Sequence, residues 1–89
     1  MKRRDFNPHL QAVYLEAVDN QLQNNDPPET RLTLDRLRKL NFSEHDAKLL
    51  IASAIAVETY EVMNTQKPFN RERFIHNLQC LPDQSFLEE

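Results

Sequence analysis

The chain contains no glycine among its 89 residues. Glycine-rich phosphate loops, dinucleotide-binding fingerprints and nucleophile elbows all need glycine at fixed positions, so the sequence excludes these common enzyme signatures. Cysteine occurs only at Cys80, which rules out an internal disulfide. No nucleophile motif surrounds Cys80, and this predicts an ordinary free thiol. We therefore expect a protein that is not an enzyme and carries no cofactor.

Long apolar runs are also missing from the sequence. Nothing behind the short basic stretch at 2–4 resembles the apolar part of a signal peptide, and no segment is long enough to cross a bilayer. These features predict a cytoplasmic protein with no membrane partner. The net charge of −3 disfavours nucleic acid as a partner. A basic patch at Arg36, Arg38 and Lys39 is interpreted as a solvated helix face.

The apolar residues that are present recur at helical spacing, and no alternating strand pattern appears. They predict one compact all-α domain of four helices spanning 1–89. The predicted helix starts, each with an Asn, Asp or Ser cap, are Asn7-Pro8, Asp26-Pro27-Pro28-Glu29, Ser43 and Asn70. The predicted ends are 23–25, Asn41, 66–68 and Pro82. Segments 1–6 and 83–89 are expected to be loose tails.

The third predicted helix is apolar on almost every side from Ala47 to Val57. Such a run predicts a long central helix that is buried on most faces, with Leu49 in the interior. Because a domain this small buries a limited share of its surface, a second copy would add useful packing. We therefore predict a homodimer through this helix; the alternative is burial by the other helices of the same chain. The candidate interface residues are Leu50, Ile51, Ala54, Ile55 and Glu58.

Glu58 is the acidic member of that face, which it shares with Ile51 and Ile55. A carboxylate there is either a catalytic acid or half of a structural ion pair with an arginine. We favour the ion pair.

Four segments joined together carry a resemblance to a known family. They lie between Asn7 and Pro82 and read NPHLQAVYLEAVDNQL, NDPPETRLTLDRL, FSEHDAKLL and KPFNRERF. The pattern resembles a family of short, all-helical bacterial proteins of uncharacterised function. The resemblance brings no activity with it.

The resemblance does imply a metal site that this chain has largely replaced. Family members tend to have His where this sequence has Gln11, Leu15 and Leu49, Glu where it has Asp19, and His at the position of His45. Positions 11, 15 and 19 share one helix face, as do 45 and 49, so five such ligands could hold zinc or iron. Only Asp19 and His45 remain here. We expect no bound metal and regard these two residues as relics of a site.

Three functions follow in order of preference. The first is a self-associating, non-enzymatic interaction module. The second is a metal-binding or metal-sensing protein with a degenerate site at Asp19 and His45, for which His9 is a further candidate. A DNA-binding helix-turn-helix is third, because the third helix begins Glu44-His45-Asp46 and these carboxylates would repel phosphate. The same stretch is explained without any ligand, since Ser43 and Asp46 form a helix-capping pair.

Overall fold

The computed structural model describes the backbone of residues 8–87 and the side chains of residues 10–87. Within that range the chain forms four α-helices followed by a short 3₁₀ turn. The elements are α1 (Pro8–Asn24), α2 (Pro28–Lys39), α3 (Glu44–Thr65), α4 (Arg71–Cys80) and the turn Ser85–Leu87. The all-α, four-helix fold predicted from the sequence is therefore confirmed.

Helix α3 lies at the centre of the domain and packs against α1, α2 and α4. Its inner face carries small and branched apolar residues, which meet apolar side chains from the three surrounding helices. The buried hydrophobic residues are Val18, Leu34, Leu37, Ala47, Ile51, Ala52, Ala54, Ile55, Phe74, Leu78 and Leu81. The domain thus has one core, built around the inner face of α3.

Local side-chain contacts fix the starts of α3 and α4 as the sequence predicts. Ser43 Oγ accepts a hydrogen bond from the backbone N–H of Asp46 at 3.0 Å, and Asn70 Oδ1 accepts one from Arg73 N–H at 3.0 Å. The ring of Phe69 meets Phe74 edge to face, with centroids 5.5 Å apart. The two hydrogen bonds satisfy backbone N–H groups that a helix start leaves unpaired, and the ring contact packs the residue before the cap onto the helix.

The start of α2 differs from the prediction by one residue. Pro27 occupies the N-cap with an extended backbone, Pro28 takes the first helical position, and no side chain caps the helix. The reason is steric: a residue that precedes a proline is disfavoured in the helical region, so Pro27 cannot begin the helix in front of Pro28. The predicted cap, Asp26, instead accepts a hydrogen bond from Arg71 Nη2 at 3.3 Å.

The segment 83–89, predicted to be a loose tail, contacts α3 and the core over the part that the structure describes. Gln84 Nε2 donates to Ser53 Oγ at 2.9 Å, and Phe86 packs against the core. We did not predict this contact because the acidic residues of the segment indicated a solvated tail, whereas Phe86 supplies an apolar side chain that can pack against the core. The expected loose segment 1–6 and residues 88–89 lie outside the described residues.

Arg36 is not part of a solvated face. Its guanidinium donates to the backbone carbonyls of Leu81 at 2.6 Å and Leu78 at 3.0 Å. These carbonyls lie at the end of α4, where a cation is favoured. Arg36 therefore fastens α2 to the end of α4.

Candidate interaction surface on the third helix

The expectation that α3 is apolar and buried on almost every side is not confirmed. Opposite its buried face runs a line of residues spaced alternately four and three apart, which we call the outer stripe: Leu49, Ser53, Ala56, Tyr60 and Met63. The first three are half-buried, whereas Tyr60 is 62% exposed and Met63 is 70% exposed. The spacing is that of an a/d seam, the arrangement with which one helix packs along another.

The serine in the outer stripe, Ser53, has its hydrogen bonds satisfied. Ser53 Oγ donates to the carbonyl of Leu50 at 2.6 Å and accepts from Gln84 Nε2 at 2.9 Å. The C-terminal segment therefore reaches the stripe at Ser53. Covering Ser53 with an apolar partner would leave no unpaired hydroxyl at that residue.

The five interface candidates from the sequence lie elsewhere on α3. Ile51, Ala54, Ile55 and Glu58 are buried inside the single chain, and Leu50 is half-buried against the core. Helices of the same chain therefore provide the burial for which we invoked a second copy. A partner of α3 would meet the outer stripe instead, which we did not predict because the run from Ala47 to Val57 is apolar on almost every side.

Glu58 forms the predicted ion pair. Its side chain is fully buried, and it accepts hydrogen bonds from Arg73 Nε and, at 3.2 Å, from Arg73 Nη2. The backbone N–H of Asn70 donates to the same carboxylate at 3.3 Å. The hydrogen bond that Arg73 donates to Glu58 raises the pKa of Arg73 above its ordinary value. The pair joins the middle of α3 to the start of α4, where an anion is favoured by the helix dipole.

The two candidate metal residues, Asp19 and His45, have different surroundings. Asp19 Oδ1 lies 2.8 Å from Lys48 Nζ, and this hydrogen bond raises the pKa of Lys48 above its ordinary value despite partial burial. His45 is exposed. Among the residues that the structure describes, no three His, Cys, Asp or Glu side chains are placed to share a metal ion. The side chain of His9 lies outside the described residues.

The positions at which the resemblance implies metal ligands are occupied by side chains with other contacts. Leu15 packs against the core, Gln11 is half-buried, and Leu49 is half-buried on the outer stripe. The prediction that Leu49 lies in the interior is therefore wrong. Because the run around it is apolar on all sides, the sequence alone could not tell the inner face from the outer one. The Asp19–Lys48 contact does show that α1 and the first turns of α3 lie side by side.

A cysteine–histidine pair on α4 and a cleft between α3 and α4 are two further features of the surface. Cys80 is half-buried, and its Sγ lies 3.7 Å from Nε2 of His76 on the preceding turn. A cleft of about 550 Å³ separates the end of α3 from the start of α4, lined in part by Val62, Lys67 and Phe69. Neither feature brings together a nucleophile, a base and an orienting group, the combination that covalent catalysis requires.

Comparisons with protein-family models, curated proteins and solved structures gave no significant match. The resemblance described above therefore stays a prediction. No helix among the described residues has the length and hydrophobicity to cross a membrane.

Proposed function

We propose that this protein is a non-enzymatic, cytoplasmic interaction module that associates with a second copy of itself through the outer stripe of α3. The observation that carries the proposal is the exposure of Tyr60 and Met63 on a helix whose opposite face forms the core. Large apolar side chains aligned on one helix face are favourable to bury against a partner, whereas isolated ones are common on any surface.

The size of the stripe argues for modest affinity. Fully burying one large apolar side chain contributes about 1.5–3 kcal/mol, and Leu49 is already half-buried in the single chain. Tyr60 and Met63 from both copies would supply most of the gain. Association itself costs about 4–15 kcal/mol in lost freedom of motion. We therefore expect a dimer that dissociates on dilution rather than an obligate one.

The metal-binding alternative has less support. It rests on Asp19 and His45, and Asp19 is engaged by Lys48 at 2.8 Å. Two ligands fall short of the three or four protein ligands that zinc sites usually have. The alternative otherwise rests on the resemblance to a bacterial family. We use it below only to test whether the facing sides of α1 and α3 converge.

Light scattering coupled to size exclusion tests the proposal. We expect the mass of the parent protein to rise from monomer towards dimer as the loading concentration increases. Replacing Tyr60→Glu together with Met63→Glu should hold the mass at that of a monomer without lowering the thermal stability. The matched control is Leu32→Glu on α2, which is 64% exposed and lies outside the stripe, and it should dimerise like the parent. A parent that stays monomeric at the highest soluble concentration would refute self-association.

A further inference from the structure

We infer that two copies pair through their outer stripes in antiparallel orientation, with the two-fold axis passing beside Ala56. The inference deepens the proposed function and rests on it. Closed dimers are usually isologous, so a residue i that contacts j in the second copy is matched by j contacting i. Parallel and antiparallel pairs can both satisfy this condition, so the order of side-chain sizes along the stripe is needed to choose between them.

Ala56 stands midway between Leu49 and Met63 in the sequence. In an antiparallel pair centred on Ala56, the long side chains of Leu49 and Met63 meet those of Met63 and Leu49 in the second copy. Tyr60 then lies at the level of the small Ala52 and Ser53 of the second copy, next to Gln84, which contacts Ser53. The small side chain of Ala56 lets the two helix axes approach closely at the two-fold axis.

A parallel pair would match the same residues less well. Each residue would face the same residue of the second copy. Tyr60 and Met63 of both chains would then crowd one end of the contact, while the small Ala56 would leave a gap beside them. Gaps and overcrowding both lower the packing energy. The size pattern therefore favours the antiparallel arrangement.

Charge at the ends of the stripe favours the same orientation. The first turn of α3 carries Glu44 and Asp46, and Lys67 follows its last turn; all three are exposed. An antiparallel pair places the acidic start of one helix near Lys67 of the other, and it also opposes the two helix dipoles. A parallel pair would bring the two acidic starts together. No charged side chain flanks the middle of the stripe, where the neighbouring residues are Ala52, Val57 and Thr59. An interface there would not have to remove water from a charge.

Disulfide trapping tests the orientation in the full chain, after Cys80→Ser has removed the natural thiol. In that background Ala56→Cys places two thiols beside the two-fold axis, and mild oxidation should link them. Tyr60→Cys is the discriminating variant. In a parallel pair its two thiols would meet, whereas in the antiparallel pair they are eight residues apart along the axis, about 12 Å at helical rise, beyond the reach of a disulfide.

We expect Ala56→Cys to crosslink about tenfold faster than Tyr60→Cys or a Leu32→Cys control, and a mixture of Leu49→Cys and Met63→Cys chains to form the mixed disulfide. Equal or faster crosslinking of Tyr60→Cys would overturn the antiparallel orientation. Failure of Ala56→Cys to crosslink while light scattering still shows a dimer would reject this arrangement and leave self-association intact. A monomer by light scattering would instead reject the proposed function.

Discussion

The buried ion pair between Glu58 and Arg73 provides the sharpest test of how α3 is held to α4. The perturbation is Arg73→Met, which keeps most of the side-chain length while removing the guanidinium. Glu58 is 0% exposed, whereas the Arg73 side chain is 46% exposed. The substitution therefore leaves a carboxylate inside the domain with only one hydrogen bond, from Asn70 N–H.

The magnitude follows from the unequal exposure of the two partners. Removing one member of a fully buried pair typically costs about 3–5 kcal/mol, because the other charge is left uncompensated. Since Arg73 is nearly half exposed, water can enter its place and solvate part of the carboxylate, so we take about 2–3 kcal/mol. That is a large share of the roughly 5–13 kcal/mol expected for a domain of this size. It should lower the melting temperature by about 10–20 °C.

Thermal and urea unfolding followed by circular dichroism measure the change, with Arg71→Met as the matched control. Arg71 lies in the same first turn of α4, but its pair with Asp26 joins two exposed side chains at 3.3 Å. Exposed pairs contribute about 0–1 kcal/mol. Adding Glu58→Gln to Arg73→Met should recover part of the lost stability, because the buried group is then neutral. Equal losses for Arg71→Met and Arg73→Met, or no recovery in the double variant, would refute the argument.

The remaining predictions concern α3 and its contact with α1. Ile51→Asp should abolish folding, because Ile51 is fully buried. Leu49→Asp should lower the free energy of unfolding by only about 1–2 kcal/mol and mainly weaken self-association. If circular dichroism shows an equal loss of stability for both variants, both residues lie in the core. Lys48→Met should cost about 0.5–1 kcal/mol at neutral pH. Because the pKa of Lys48 is raised in the folded state, this stabilisation is complete below the ordinary value of 10.5 and is lost as the pH rises through the folded pKa, so parent and variant should converge there in urea unfolding. The parent should retain no zinc or iron, while Gln11→His, Leu15→His and Leu49→His together should lower apo stability and gain melting temperature with zinc. A folded triple variant that zinc does not stabilise would show that the two helix faces do not converge.

Features set by residues close together in the sequence were predictable. Ser43 and Asn70 each cap a backbone N–H three residues ahead, so a short window contains the whole interaction. Asn41 ends α2 with a φ of 78°, a left-handed conformation that asparagine tolerates better than most residues. The four helices and most of their ends follow from signals of this kind.

Features set by distant residues were not predictable in the same way. Arg36 bonds to carbonyls more than 40 residues away, and nothing near Arg36 in the sequence indicates them. The burial of Glu58 could be predicted because it shares a helix face with Ile51 and Ile55, but its partner Arg73 lies on another helix. The outer stripe was not predicted for another reason. The sequence from Ala47 to Val57 is apolar on almost every side and has no dominant periodicity. The buried and exposed faces of α3 therefore become distinct only when the neighbouring helices are in place.

Leu49 links the two functional proposals and allows them to be separated. In the resembled family a metal ligand would stand at this position, but here a leucine forms one end of the outer stripe. A leucine there contributes to an apolar contact between two copies, whereas a histidine would bind metal only if α1 supplied further ligands. The same substitution should therefore act in opposite directions on metal binding and on self-association.

If both proposals hold, Leu49→His in the triple variant raises the affinity for zinc and lowers the affinity between copies. Light scattering and zinc titration on one protein sample would measure the two changes together. Zinc binding with unchanged dimerisation would remove Leu49 from the interface, and weaker dimerisation without zinc binding would remove it from any metal site.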